Sequence, residues 1–189
     1  MQNLHYIQMK DQEDLYSLLN KKLILKLYKD CFKEPPYEED FNEAEINSIF
    51  LHYLKEGVLM FCYTDNMENI IGFAAAIPLK CEKEVADLAQ NHGYDPSIDW
   101  YYADVGIAKE FRGNGICKYL ATELIKRIPA SRIIMRTQEK NAASLGCHRK
   151  IGFEIIDGMY QVIKKTRISG IEEEDKRIFL RYNKDVKGE

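Results

Sequence analysis

The stretch of this chain best suited to chemistry is Ile107-Ala108-Lys109-Glu110-Phe111-Arg112-Gly113-Asn114-Gly115-Ile116-Cys117-Lys118-Tyr119-Leu120. A strand pattern feeds a loop with two glycines, and the loop opens directly into a helical pattern. Glycine lets the backbone take positive φ and approach a ligand closely. A helix start offers N–H groups without intrahelical partners and the positive end of the peptide dipole. Together they make an anion cradle suited to a pyrophosphate. Arg112 either adds charge to that cradle or holds the loop. The pattern is not a P-loop, because no Gly-Lys-Ser/Thr follows, and not a dinucleotide fingerprint, because the third glycine is missing. Alone, Gly-x-Gly is equally a tight strand-to-helix turn with no ligand.

A second stretch raises the specificity: Thr137-Gln138-Glu139-Lys140-Asn141-Ala142-Ala143-Ser144-Leu145-Gly146-Cys147-His148-Arg149-Lys150-Ile151-Gly152-Phe153. It reads as a strand end, an Asn, a helix and a Gly-Phe stop. With both stretches in view, the chain resembles the GNAT acetyltransferase superfamily. Arg112-Gly113-Asn114-Gly115-Ile116-Cys117 is similar to that family's Arg/Gln-x-x-Gly-x-Gly/Ala motif. Cys117 stands where Gly or Ala is usual, and is small enough to keep the helix close. Asn141, Lys150, Gly152 and Phe153 match the spacing of the family's later segment, and one helix plus one strand separates the two motifs. The resemblance is close over residues 99 to 163. Over residues 1 to 80 it holds in element order only, and residues 81 to 98 look like an insertion.

The resemblance implies an α+β fold, the GNAT acyl-CoA N-acyltransferase fold: a mixed, mostly antiparallel central sheet with one splayed parallel strand pair and helices on both faces. It implies acetyl-CoA as cosubstrate, an amine as acceptor, and no metal. The gap between residues 100 to 108 and 132 to 137 is the expected CoA slot. The loop of Arg112, Gly113, Asn114, Gly115, Ile116 and Cys117 is expected to bind the pyrophosphate. The main chain of Val105 and Ile107 is expected to pair with pantetheine, and Asn141 completes the cofactor-binding set. Transfer in the family is usually direct. An N–H near Val105 or Ile107 would stabilise the oxyanion, and proximity supplies much of the rate.

The family often has a Tyr that protonates the leaving thiolate; that position here is His148. With a thiol pKa of about 8.5 and an imidazole pKa of about 6.5, imidazolium can donate that proton. The other reading of His148 is a wall residue with no proton role. Asp104 and Tyr102 are the candidates for the base, and strict alternation puts both on one face of the strand. Each is equally a strand-edge carboxylate or a packing aromatic. Cys147 beside His148 suggests a Cys–His pair only weakly, because helix neighbours point about 100° apart.

Periodicity supplies the elements that must hold these groups. Dense Leu and Ile over residues 14 to 32 predict one helix. Pro35-Pro36 forbids helix and opens an acidic loop. Asn42 with Glu45 resembles a capping box, and Ile46, Ile49, Phe50, Tyr53 and Leu54 then share a helical face stopped at Gly57. Residues 58 to 63 and 70 to 77 read as a hairpin. A short helix over 81 to 91 precedes a strand over 100 to 108. Cys117, Leu120, Ala121, Leu124, Ile125 and Ile128 mark the cleanest helix, ended by Pro129. A strand over 132 to 136, a helix over 141 to 150 and strands over 154 to 163 and 177 to 182 follow.

With 189 residues, 46% of them hydrophobic, and no linker-like tract, one domain over 1–189 is expected. A net charge of −3 gives no basic footprint for nucleic acid. The start, Met1 to Tyr6, has no basic leader, and no apolar run is long enough for a bilayer. The five cysteines are odd in number and widely spaced, so neither a disulfide framework nor a zinc set is expected, and a cytoplasmic location is the simplest. Glu34, Glu38, Glu39, Asp40, Glu43 and Glu45 would favour a cationic acceptor if they border its site, or form a solvated loop. A homodimer is compatible with the sequence but not decided by it. The rival to an enzyme is a module of the same fold that binds acyl-CoA or a protein without turnover.

Overall fold

The computed structural model describes residues 4–185. Residues 1–3, part of the segment read for a leader, and 186–189, the end of the expected domain, lie outside that range. The chain begins with strand β1 (His5–Met9), helix α1 (Gln12–Asn20), α2 (Leu23–Phe32) and α3 (Glu43–Glu56). The hairpin β2 (Val58–Tyr63) and β3 (Ile70–Pro78) follows, then α4 (Lys83–Gln90) and β4 (Trp100–Ile107). The second half runs α5 (Ile116–Arg127), β5 (Arg132–Gln138), α6 (Ala142–Ile151), β6 (Glu154–Thr166) and β7 (Glu172–Asn183).

Local chemistry accounts for the boundaries. Asp11 caps α1 by accepting from the N–H groups of Glu13 and Asp14. The capping box at Asn42 and Glu45 is present in full at the start of α3. The single helix expected over residues 14 to 32 is two, because Lys22 takes a left-handed φ of 58° between them. That turn folds α2 back beneath the sheet. Strand β1 was not anticipated, and β6 and β7 form a longer hairpin than their apolar cores suggested.

The seven strands form one sheet in the order β1-β2-β3-β4-β5-β7-β6. Every neighbouring pair is antiparallel except β4 and β5. Helices α1 to α4 cover one face around Leu15, Ile24, Phe50, Phe61, Phe73 and Val85, all fully buried. Helix α5 covers the other, with Leu120 and Leu124 against Met60 and Ile133, and α6 adds Ile151 there. The expected mixed sheet with helices on both faces is what the chain forms. The expectation for the cysteines is corrected: Cys117 and Cys147 are joined by a disulfide that ties α5 to α6, while Cys31, Cys62 and Cys81 are free. Among the described residues no helix is long and apolar enough to cross a membrane.

Candidate active site

Strands β4 and β5 pair over Trp100↔Ile133, Tyr101↔Ile134 and Tyr102↔Met135, and no further. Strand β5 stays in register with β7 along its whole length, so β4 is the strand that departs. Its other edge explains why. Against β3, Ala76 faces Tyr102 but Ala75 faces Asp104, which leaves Ala103 as a surplus residue. Such a bulge bends a strand and increases its twist. The result is a cleft lined by Tyr37, Tyr102, Asp104, Val105, Arg136 and Ser144 among others. Beyond the bulge, the Ala108 N–H donates to the Ile71 carbonyl. Alternation along an antiparallel ladder then turns the main-chain groups of Val105 and Ile107 toward the cleft. The Ile107 carbonyl is already occupied by Arg112 Nε at 2.9 Å and Cys31 Sγ at 3.5 Å, which leaves Val105 as the free peptide edge.

The same bulge corrects the expected pairing of Tyr102 with Asp104. Tyr102 packs in the core beneath α5, whereas Asp104 points to the α2–α3 face. There the Asp104 carboxylate accepts from Tyr53 Oη at 2.7 Å and Tyr28 Oη at 3.1 Å. Burial pushes its pKa up from 3.8 to about 6, the nearby charge of Glu39 adds to this, and the two phenol donors and Arg136 pull against it. Burial raises both phenols well above their ordinary value, so they stay protonated as donors. A partly desolvated carboxylate near pKa 6 is charged at neutral pH and is a competent proton acceptor.

Of the two readings of His148, its surroundings favour the wall residue over the proton donor. Its ring is fully buried, at 0% exposure, in edge contact with Tyr102 and Phe153. Burial lowers its pKa from 6.5 to about 4, so the ring is neutral. Nδ1 lies 2.8 Å from the Ser144 carbonyl, which can only accept, so Nδ1 carries the single proton. Nε2 is then the lone-pair nitrogen, and it has no partner. Tyr102 Oη beside it is sealed and likewise unpartnered. The His148 ring is a core piece, and Tyr102, itself buried, borders the cleft.

The glycine loop is built as the sequence predicts. Gly113 and Gly115 take φ of 83° and 78°, and a side chain at either would meet nothing within 4 Å. Gly115 starts α5 without any side-chain cap. The first N–H groups of α5, from Ile116 and Cys117 onward, are therefore left to solvent or a ligand. The Asn114 side chain donates to the Phe111 and Arg112 carbonyls and so fixes the turn. Arg112 holds the loop: Nε donates to Ile107 and Nη1 pairs with Glu34 at 2.8 Å. Asn141 caps α6 through the Ser144 N–H, and its Nδ2 donates to Tyr37 Oη at 3.2 Å.

Four of the six carboxylates of the acidic segment are engaged by the fold itself. Glu34 pairs with Lys109 and Arg112, Glu39 with Lys165 and Arg177, and Glu43 with Lys22, while Glu45 caps α3. Those pairs pin the loop over the cleft and set Tyr37 there, its ring beneath the Arg177 guanidinium at 5.0 Å. Of the residues that line the cleft, Arg136 is one that sequence reasoning missed, and a charge embedded in Ile133-Ile134-Met135-Arg136-Thr137 was the available signal. Among the described residues no cluster of His, Cys, Asp or Glu is arranged to hold a metal.

A strand pair forced apart above an uncapped, glycine-led helix leaves an open cleft beside helix N–H groups that have no intrahelical partner. The family model of the acetyltransferase (GNAT) family matches residues 21–153. The chain belongs to that family. No curated protein matches it in sequence. Among solved structures, a GNAT superfamily phosphinothricin acetyltransferase from Sinorhizobium meliloti in complex with acetyl-CoA superposes with a TM-score of 0.64 at 18% identity, over 94% of this chain and 88% of that one. An N-acetyltransferase from Staphylococcus aureus gives 0.64 at 14%, over 95% and 98%. A ribosomal-protein-alanine N-acetyltransferase from Brucella melitensis gives 0.63 at 17%, over 94% and 99%. At such identities the likeness is one of fold, and the fold accommodates acceptors of different kinds.

Proposed function

We propose that the protein transfers an acetyl group from acetyl-CoA to a primary amine by direct attack. The observation that carries this reading is Asp104, a carboxylate near pKa 6 that opens into the cleft made by the departure of β4 from β5. The open glycine loop and uncapped α5 start fit a pyrophosphate. Membership of the GNAT family and a solved relative holding acetyl-CoA support the cosubstrate. Pantetheine then runs along the free edge of Val105 and brings the thioester to the bulge. The amine enters from the α2–α3 face, and Asp104 takes its proton as the nitrogen attacks the carbonyl carbon. The Val105 N–H is placed to stabilise the oxyanion. Collapse breaks the C–S bond, the amide forms, and the thiolate takes a proton. Tyr37 Oη accepts from Asn141 and lies 3.4 Å from Thr137 Oγ1, and its hydroxyl is the candidate donor for that proton.

Calorimetry with acetyl-CoA, followed by thiol release across a panel of amines, tests the reading. Binding with amine-dependent thiol release supports it. Absence of binding refutes it, and binding without release from any amine favours a binding module.

A further inference from the structure

We infer that the acceptor is an amino acid, carrying a carboxylate beside its amine, and that Arg136 grips this carboxylate while Asp104 receives the amine. This rests on the acetyl-transfer reading above. The fold withdraws four arginines from solvent wholly or in part: Arg132, Arg136, Arg167 and Arg177. Arg132 pairs with Asp99, and Arg167 and Arg177 both pair with Asp175. Arg136 alone of the four has no ion pair among the described residues. Its one hydrogen bond is from Nη1 to the neutral Gln161 Oε1 at 2.8 Å.

A guanidinium offers five N–H donors in a fixed fork. Arg136 therefore presents a half-buried cation with most of its donors unclaimed. Such a charge is costly to withdraw from water unless something pairs with it. Burial works against the cation, and the carboxylates of Glu82, Glu84 and Asp104 favour it without contacting it. Arg136 follows Met135 on β5, so alternation puts it on the face of Ile134, the same face as Asp104. Both residues line the cleft, and each registers the other's charge while too far away for an ion pair. A cleft with one carboxylate and one guanidinium held apart complements a molecule with an ammonium and a carboxylate held together. The acidic loop offers a polycation less than its composition suggests, because Glu34, Glu39 and Glu43 already carry lysine or arginine partners.

The test compares common L-amino acids with their decarboxylated amines, such as histidine with histamine and tyrosine with tyramine. Thiol release from acetyl-CoA is one readout. Calorimetric binding to the protein saturated with CoA is the second. The parent is expected to favour at least one amino acid over its amine by about 100-fold or more in kcat/KM, since a site built for a polar group rejects the analogue lacking it. Arg136→Gln should erase that preference while leaving acetyl-CoA affinity unchanged, and Arg136→Lys should restore part of it. Equal or better turnover of the amines overturns the inference and leaves acetyl transfer standing. Carboxylate-dependent binding that Arg136→Gln abolishes, without thiol release, upholds the grip of Arg136 on an amino acid but overturns its role as acceptor, together with the transfer reading. If no common amino acid binds or reacts, the inference falls.

Discussion

Replacing Asp104 with Asn should separate stability from activity in a pH-dependent way. Folding moves the Asp104 carboxyl from 3.8 to about 6. The charged form is thus disfavoured in the fold, at an order-of-magnitude cost of 3 kcal/mol above pH 6. The sign follows from proton binding. Between about pH 4 and 6 the folded protein holds a proton that the unfolded chain releases, so this group's penalty fades as pH falls. His148 does the reverse. Its folded pKa of about 4 lies below 6.5, so its contribution is present above pH 6.5 and is lost as pH falls through 4. In the parent the two effects oppose each other across one window, and stability should be nearly flat there.

Asp104→Asn removes one of them. At pH 8 its Tm should rise, by up to roughly 6–12 °C for a chain of this size, less whatever the amide's own burial costs. Below pH 6.5 its Tm should fall more steeply than the parent's, because His148 is then unopposed. Turnover should drop by about 10²–10⁴-fold, the usual worth of a general base, and kcat/KM in the parent should climb through pH 6. Thermal melts at half-unit pH steps and thiol-release kinetics check both. A variant less stable than the parent at every pH, with a parallel profile, would refute the reasoning and make Asp104 a hydrogen-bond anchor for Tyr28 and Tyr53.

Three further outcomes are expected. Gly115→Val places a β-branched residue at a φ of 78° and fills space left open for the ligand, so acetyl-CoA affinity should fall by about 100-fold or more while circular dichroism is unchanged. Tyr37→Phe should lower kcat by about 10²-fold and keep acetyl-CoA affinity, if its hydroxyl protonates the thiolate; equal kinetics would return Tyr37 to a packing role. His148→Asn should leave kcat within a few-fold of the parent and lower the Tm, because a buried neutral ring is packing and not proton chemistry; a large loss of kcat with an unchanged melt would reinstate it as the acid.

Much of the frame was legible because it rests on local rules. The glycine loop, the α5 stripe from Cys117 to Ile128 and the capping box at Asn42 each write their geometry into a dozen residues or fewer. The rest depends on partners far away in sequence. Ala103 is surplus only when β4 is set against β3, so strict alternation misplaced Tyr102 relative to Asp104. His148 matches a family position, but its burial follows from Tyr102 and Phe153 closing over it. Cys117 and Cys147 are 30 residues apart and meet only because α5 and α6 pack side by side. The acidic loop read as a set of free carboxylates, yet Lys109, Arg177 and Lys22 come from elsewhere in the chain to pair with three of them.

The bulge at Ala103 has a genetic corollary. Tyr101 and Asp104 share one face of β4, and Tyr102 and Val105 share the other, so removing Ala103 alone would leave every remaining residue on its present side. The inside–outside code of the strand would read the same before and after the deletion. What would vanish is the misfit with β3 that sends β4 away from β5, and the parallel ladder would be free to zip on past Tyr102. A one-codon loss invisible to the hydrophobic pattern would thus close the slot, and the opening is stored in this chain as a single superfluous residue.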